Sequence, residues 1–338
     1  MPAGGHDRAL APAAPPAHPW AMSSLPTWGL VATIRAPARD ILNFAAYHLD
    51  LGAHRVHVYL DAPNPEAEAA LRAHPKCRVI LCDDGYWHRR KGRPEAHQPR
   101  QSVNATHCLN RRPQVDWLAH IDVDEFLWPA TPLPEQLAAL PEETLSARVR
   151  PLEALAPDPD EPPPEGVTWF KSCARLKGRR AEETAVIYPG FGAHLNGGFL
   201  SHVAGKVFVR TGQPDTRLRI HNALRGGQKD DSPPELENTR LCHLHAHDWQ
   251  DWRARLGYRH AQGAYRPGIR PAGTGALPIH ELLAQIETEG GEAGLRAFFT
   301  EVCTATPALR RRLAAHGHLH AIALDLEARR ARHFPGTG

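Results

Sequence analysis

The sequence lacks a long apolar run, and no apolar segment approaches the roughly 20 residues that a membrane-spanning helix needs. The first 25 residues also lack the apolar core of a signal peptide. Charge of one sign is not in excess, because 40 Lys and Arg stand against 37 Asp and Glu. That balance argues against nucleic acid as a partner. Together these absences predict a cytoplasmic protein.

Cysteine is scarce, and none of the six cysteines forms a CxxC pair. The sequence therefore offers neither a thiolate zinc site nor a disulfide framework, and it fits a reducing compartment. Internal repeats are absent as well. A chain of 338 residues without them is expected to form one large α/β unit with a helical appendage.

Composition divides the chain into three parts. Residues 1–25 are rich in Ala and Pro and are expected to be disordered, and the sequence leaves open whether translation starts at Met1 or Met22. Residues 26–247 are expected to form the α/β domain, and residues 248–338 a helical region. Within the domain, residues 151–166 are too rich in proline for a helix or a central strand, which predicts a loop.

From Trp28 onward, short apolar runs alternate with amphipathic segments, which is typical of βα units and a mainly parallel sheet. Three of the predicted strands are followed by an acid, namely Asp61, Asp83 and Asp122. Ligands of such sheets bind beyond the carboxyl ends of the strands, so these acids are expected in one crevice. Turn formation or helix capping would explain Asp61 and Asp83 equally well.

The segment DVDE that follows the fourth strand points to a cation. Asp122 and Asp124 are two residues apart and would face the same side of an extended chain. Two such carboxylates repel each other unless a cation or a proton separates them. Mg²⁺ and Mn²⁺ are the natural partners of oxygen ligands.

This order of strands and acids resembles the GT-A fold glycosyltransferases, and among them the DxD-containing family 2 group. The resemblance runs from Trp28 to about Phe126. It implies a Rossmann-like α/β fold with a mainly parallel sheet flanked by helices. It also implies that Asp122 and Asp124 hold Mn²⁺ or Mg²⁺, which bridges the diphosphate of a nucleotide sugar.

A second set of matches lies in GFLSHVAGKVFVRTG, RIHNA and CHLHAHDWQDW. These resemble an HxxGK stretch, a histidine beside an asparagine, and a late metal-binding histidine. Lys206 would then neutralise a phosphate, although a surface lysine is the alternative. The family pattern has one late histidine where this chain has His243 and His245, so the choice between them stays open.

The resemblance also implies roles for further residues. The expected nucleotide-sugar-binding residues are Arg35, Asp61, Asp83, Arg100, Gln101, Asp122, Lys206 and His221. The catalytic base remains open among Glu125, Asp215 and Asp248. The implied reaction is hexosyl transfer from a UDP-sugar, with inversion, to a glycan or lipid-linked acceptor in cell-surface polysaccharide synthesis.

Two other functional classes remain. The HLHAHD segment resembles, with its last two ligands reversed, the HxHxDH of metallo-β-lactamase-like enzymes, which would make the protein a zinc-dependent metallohydrolase. The late position of that segment argues against this reading. A binding module without catalytic activity is the third class. The arginines near the C-terminus predict a solvated basic face or, alternatively, peripheral contact with the inner face of an anionic membrane.

Overall fold

The computed structural model describes residues 25–246, 248–261, 263, 265–267 and 275–337. The segment expected to be disordered lies outside the described residues except for Leu25. The strands are β1 (Trp28–Ile34), β2 (Arg55–Leu60), β3 (Cys77–Leu81), β4 (Trp117–His120), β5 (Glu125–Pro129), β6 (Ser146–Ala154), β7 (Val167–Lys171), β8 (Lys206–Arg210), β9 (Thr216–Leu218), β10 (Ala223–Arg225), β11 (Gln228–Lys229), β12 (Glu235–His243) and β13 (Leu319–Ala323).

The helices alternate with these strands early in the chain and dominate its last third. They are α1 (Ala38–Asp50), α2 (Pro65–Ala73), α3 (Asp84–His88), α4 (His97–Asn110), α5 (Leu133–Ala138), α6 (Lys177–Ile187), α7 (Trp249–Ala261), α8 (Ile279–Cys303), α9 (Pro307–Ala315) and α10 (Leu326–His333). One turn of 3-10 helix, Gly192–His194, lies between α6 and β8.

Ten strands form one curled sheet, and its first half is parallel in the order β3-β2-β1-β4. The expected α/β chain with a mainly parallel central sheet flanked by helices is thus confirmed for the half built from the early βα units. Beyond β4 the sheet continues antiparallel through β8, β6, β7 and β13. β12 runs parallel to β6 and antiparallel to β5. A separate small sheet holds β9, β10 and β11.

The main core lies between this sheet and α1. The residues of β1 are apolar along almost its whole length and six of its seven are buried, as expected of a parallel strand covered on both faces. Helix α1 buries nearly every residue from Ile41 to Leu49. Helix α10 packs on α1, where Arg329 donates to Asp50 at 2.5 Å and Arg330 donates to Asn43 at 3.0 Å.

Two predictions about local structure differ from what is found. The segment expected to be a loop from Pro151 to Gly166 begins as strand, because β6 continues to Ala154. Pro151 is tolerated there because on one side of β6 the pairing with β8 ends at Val149 and the pairing with β7 starts at Glu153. The C-terminal region is also not purely helical, since β13 adds an edge strand beside β7.

Most of the C-terminal arginines have partners within the chain. Arg332 also reaches Asp50, Arg310 pairs with Glu161 at 2.7 Å, and Arg312 donates to the carbonyl of Ile187 at 2.6 Å. These contacts give the named arginines partners within the fold. None of the described helices is both long enough and apolar enough to cross a membrane.

Candidate functional site

The candidate site lies where the carboxyl end of β4 meets the start of β8 and the end of β12. Asp122 and Asp124 occupy the short turn between β4 and β5. The antiparallel register of β5 and β12 places His243 opposite Glu125. Lys206 opens β8, which pairs with both β4 and β6. The sheet therefore gathers residues that are more than 80 positions apart in the sequence.

Lys206 joins two carboxylates of this turn. Its Nζ donates to Asp122 Oδ2 at 2.7 Å and lies 3.2 Å from Glu125 Oε2. The side chains of Lys206 and Glu125 are each only 1% exposed, so both charges are withdrawn from water. Glu125 Oε2 also accepts from the backbone amide of Asp122 at 2.8 Å. Glu125 therefore positions the turn and Lys206, and it has no free face towards a substrate.

The protonation of this cluster follows from burial and from Lys206. Burial alone would raise the pKa of Asp122, but the Lys206 ammonium outweighs it and the pKa lies well below its usual range. Burial likewise dominates at Glu125 and raises its pKa. Burial would lower the pKa of Lys206, yet Asp122 and Glu125 together raise it. Lys206 is thus held as a buried cation next to an ionised Asp122.

Gly205 allows Lys206 to take this position. Its φ of +71° lies in the left-handed region, and a Cβ there would stand 2.0 Å from the carbonyl oxygen of Val149. The glycine therefore lets the chain pass close to strand β6.

Asp124 faces His243 across the crevice. His243 Nε2 lies 3.5 Å from Asp124 Oδ2, and the two side chains are 12% and 34% exposed. Burial would lower the pKa of His243, but Asp124 raises it to about 9, and the pKa of Asp124 is lowered in return. The pair is therefore charged and open to solvent.

His245 takes a different environment from His243. It is buried, its Nε2 lies 3.0 Å from the hydroxyl of Tyr265, and burial lowers its pKa to about 3. Of the two late histidines, only His243 lies within ion-pair distance of an acid of the DVDE turn, so His243 is the one that faces the candidate site.

Helix α4 contributes two neighbouring residues, Arg100 and Gln101. Gln101 Nε2 donates to Asp122 Oδ1 at 2.5 Å. Arg100 Nε donates to Asp61 Oδ2 at 2.9 Å. Arg93, which sequence reasoning missed, donates to Asp61 Oδ1 at 3.0 Å. Asp61 at the end of β2 therefore orients two guanidinium groups at the rim of the crevice.

A group of neutral histidines surrounds Lys206. The rings of His202 and His221 are 3.6 Å apart between centroids, and His221 Nδ1 lies 3.0 Å from the carbonyl oxygen of Gly205. Burial lowers the pKa of His221 to about 4 and that of His202 to about 2. His120 of β4 was also missed; its two ring nitrogens are buried without a hydrogen-bond partner in the described part of the chain.

Four of the predicted residues are not drawn into this cluster. Asp83 is exposed and caps α3 by accepting from the amide of Tyr86 at 2.7 Å, which is its capping alternative. Arg35 is exposed just beyond β1. Asp248 is exposed and accepts from the amide of Asp251 at the start of α7. Asp215, the fourth, is exposed as well.

Asp215 lies at the opposite edge of the sheet from Asp122. The preceding Thr211 donates from its amide to the carbonyl oxygen of Asp116, just before β4 begins. Pro214 lines a cavity with Thr27, which directly precedes β1. Both contacts lie at the amino ends of the parallel strands, whereas the crevice lies at their carboxyl ends. Asp215 is therefore remote from the crevice.

The expected metal can be tested against these donors. The described residues contain no group of three or more His, Cys, Asp and Glu side chains arranged to hold a metal ion. Asp122 already accepts one hydrogen bond on each oxygen. The 3.5 Å between Asp124 and His243 is close to the roughly 3 Å that separates adjacent ligands of one hard cation. Asp124 and His243 are thus the two donors close enough to share a divalent cation, and His243 would have to lose its proton to bind one.

Comparison with protein families gives a match for this part of the chain. The family model of glycosyltransferase family 92 matches residues 32–148, about a third of the sequence. This match supports a glycosyltransferase. The matched span contains Asp61, Arg100, Gln101 and the DVDE turn, whereas Lys206 and His243 lie beyond it.

Among solved structures, HddC from Yersinia pseudotuberculosis is similar over 64% of this chain and 76% of its own, at 10% identity. The TM-score is 0.26, which is too low to support an argument about fold or function. No curated protein matches the sequence.

Proposed function

We propose that the protein is a metal-dependent glycosyltransferase of GT-A type, which moves a sugar from a nucleoside diphosphate sugar to an acceptor hydroxyl. The supporting observation is the cluster of Asp122, Asp124, Lys206 and His243 beyond the carboxyl end of β4. The two acids of that cluster lie in the span that matches glycosyltransferase family 92. In α/β sheets of this kind, ligands bind at that edge.

In the proposed site, Asp124 and His243 would hold Mn²⁺ or Mg²⁺. The cation would supply Lewis-acid stabilisation of the charge on the leaving diphosphate. Lys206 keeps Asp122 ionised and adds a fixed positive charge to the same wall of the crevice. Gln101 restrains the other oxygen of Asp122, which sets the orientation of that carboxylate.

Asp61 is proposed to serve the nucleotide. Its carboxylate is 5% exposed and is bracketed by Arg93 and Arg100, whose side chains are 41% and 13% exposed. The guanidinium groups are thus the parts of this arrangement that a base, ribose or phosphate would touch. UDP is the proposed carrier.

We propose Asp248 as the base that deprotonates the acceptor, by exclusion of the other two candidates and not by contact with the cluster. Glu125 is buried against Lys206, and Asp215 lies at the far edge of the sheet. Asp248 is exposed at the start of α7, five residues after His243. With a single displacement, a carboxylate there would lead to inversion at the anomeric carbon.

The remaining parts of the proposal concern the cellular setting. The resemblance suggests a glycan or lipid-linked acceptor in polysaccharide synthesis. It also suggests that the enzyme acts in the cytoplasm or at the inner face of the membrane. A zinc-dependent hydrolase is less well supported, because His243 and His245 contact different partners.

Calorimetric titration with UDP separates these classes. The transferase should bind UDP with Mn²⁺ and lose most of that affinity in EDTA. Incubation with a panel of UDP-sugars, followed by NMR of the product's anomeric proton, then reports the donor and the stereochemistry. Tight binding of zinc without nucleotide, and no response to UDP, would instead identify the hydrolase.

A further inference from the structure

An arginine-lined cavity of about 390 Å³ lies apart from the candidate site. Its wall is made by neighbouring positions of β6 and β12, by residues 172–176 before α6, by the first turn of α6, and by residues 317–320. Arg240 of β12 lines it, three residues before His243. At about 3.3 Å per residue, the cavity is roughly 10 Å along the strand from the cation ligand.

Five arginines contribute to the wall. They are Arg150, Arg175, Arg179, Arg180 and Arg240. Carboxylates offset three of them: Glu235 pairs with Arg150 and with Arg175, and Glu183 pairs with Arg179 at 2.6 Å.

Arg180 and Arg240 differ from these three because they form no ion pair within the described part of the chain. Among the described residues, neither has a carboxylate within ion-pair distance. Arg180 Nη1 lies 3.4 Å from the carbonyl oxygen of Ala174, and Arg240 Nη1 donates to the carbonyl oxygen of Glu237 at 3.2 Å. Burial and then the charges of Arg175 and Arg150 lower the pKa of Arg240, and the carboxylates Glu235 and Glu237 only partly offset this effect.

The rest of the wall also suits an anion. Helix α6 has 11 residues and starts after Leu176, which provides no side-chain cap. Its first amides add positive potential beside Arg179 and Arg180. The hydroxyl of Ser172 lies within 3.1 Å of ring nitrogens of His318 and His320. The cavity thus combines forked donors with a hydroxyl and an uncapped helix end.

We propose that this cavity binds a phosphate or diphosphate group. It is separate from the proposed cation site at Asp124. Guanidinium groups recognise phosphate oxygens with two parallel hydrogen bonds each, and two unpaired arginines supply them. The group belongs either to a soluble phosphorylated molecule or to a lipid headgroup. The proposal stands independently of glycosyl transfer.

Inorganic pyrophosphate in EDTA is the probe for this site, because chelation removes the metal-dependent site from the titration. Wild-type protein should bind it, and the double variant Arg180→Gln/Arg240→Gln should bind at least about tenfold more weakly. The matched control is Arg217→Gln, an exposed arginine of β9, which should bind like wild type. The single variants Arg180→Gln and Arg240→Gln cover the case in which the double variant fails to fold.

Asp124→Ala separates this proposal from the function proposed above. It should lose metal-dependent UDP binding and keep metal-free pyrophosphate binding. Arg180→Gln/Arg240→Gln should keep metal-dependent UDP binding and lose metal-free pyrophosphate binding. Equal pyrophosphate affinity in wild type and in the folded arginine variants would overturn the second site. So would the absence of pyrophosphate binding by wild type.

Sedimentation with vesicles identifies the source of the phosphate. If the group is a lipid headgroup, wild type should co-sediment with phosphatidylcholine vesicles that contain phosphatidic acid. The arginine variants should then stay in the supernatant. Pyrophosphate binding without vesicle binding assigns the site to a soluble phosphorylated ligand. Vesicle binding that the arginine variants retain, without pyrophosphate binding, contradicts the proposal.

Discussion

The ammonium group of Lys206 lies 2.7 Å from the carboxylate of Asp122, although 84 residues separate them in the chain. Glu125 lies on its other side, so this lysine is the charge that offsets two acids, of which Glu125 is buried and Asp122 is 29% exposed. Removing one member of a buried ion pair leaves the other charge unpaired, which costs more than the pair itself contributes.

Lys206→Met should therefore lower the free energy of unfolding by about 3–5 kcal/mol, measured by urea denaturation. Lys229→Met is the control, because Lys229 is half-exposed and its ion pair with Asp231 is on the surface. That change should cost less than about 1 kcal/mol. Equal losses in the two variants would show that Lys206 does not neutralise the turn.

Gly205→Ala should destabilise the protein more than Gly212→Ala. Both glycines have φ near +70° to +75°, so both variants carry the strain of about 1–2 kcal/mol for a left-handed residue. Only Gly205 would place its Cβ against a backbone oxygen, whereas nothing lies within 4 Å at Gly212. Thermal unfolding of the two variants should differ clearly. A similar Tm for both would mean that β6 moves easily away from Gly205.

His48 should make stability depend on pH. Its Nδ1 lies 2.8 Å from the carbonyl oxygen of Phe44, its Nε2 accepts from the amide of Leu127 at 3.3 Å, and burial lowers its pKa to about 3. The unfolded chain takes up a proton below about pH 6.5 that native His48 does not take. The contribution of His48 to the free energy of unfolding is therefore complete above pH 6.5. Below that pH it falls by about 1.4 kcal/mol per pH unit.

Urea unfolding of wild type and His48→Gln from pH 7 to pH 5 measures this effect. In the variant, the free energy of unfolding should depend less steeply on pH, by the slope that one proton contributes. The other buried histidines contribute equally to both proteins. His88→Gln, at an exposed position of α3, should keep the wild-type slope. A wild-type slope in His48→Gln would mean that His48 is protonated in the native state.

The early βα units were predictable because their apolar runs and helical periods are local features. β1 starts at Trp28, where the alternation of apolar runs and amphipathic segments was expected to begin, and Asp61 and Asp122 follow strands as expected. The pairing of β6 around Pro151 was not predictable, because the gap between β8 and β7 depends on strands that come later in the chain. β13 likewise adds to β7 across about 150 residues.

The candidate site shows the same limit. The residue types of Asp122, Asp124 and Lys206 could be selected by spacing and resemblance, whereas the division of labour between His243 and His245 depends on which of them faces Asp124. Arg93 carried no signal, since it lies in a basic loop with no period. Asp215 was chosen by residue type alone, and the chain path of residues 211–215 sets it at the far edge of the sheet.

The most direct test of the account is the affinity for UDP of wild type and Asp124→Ala, measured by calorimetry with Mn²⁺ and with EDTA. Asp231→Ala, which removes an exposed acid, serves as the control. We predict that wild type and Asp231→Ala bind UDP tightly only with Mn²⁺, and that Asp124→Ala, while still folded, shows the same weak affinity under both conditions. Full Mn²⁺-dependent affinity in Asp124→Ala would contradict the account.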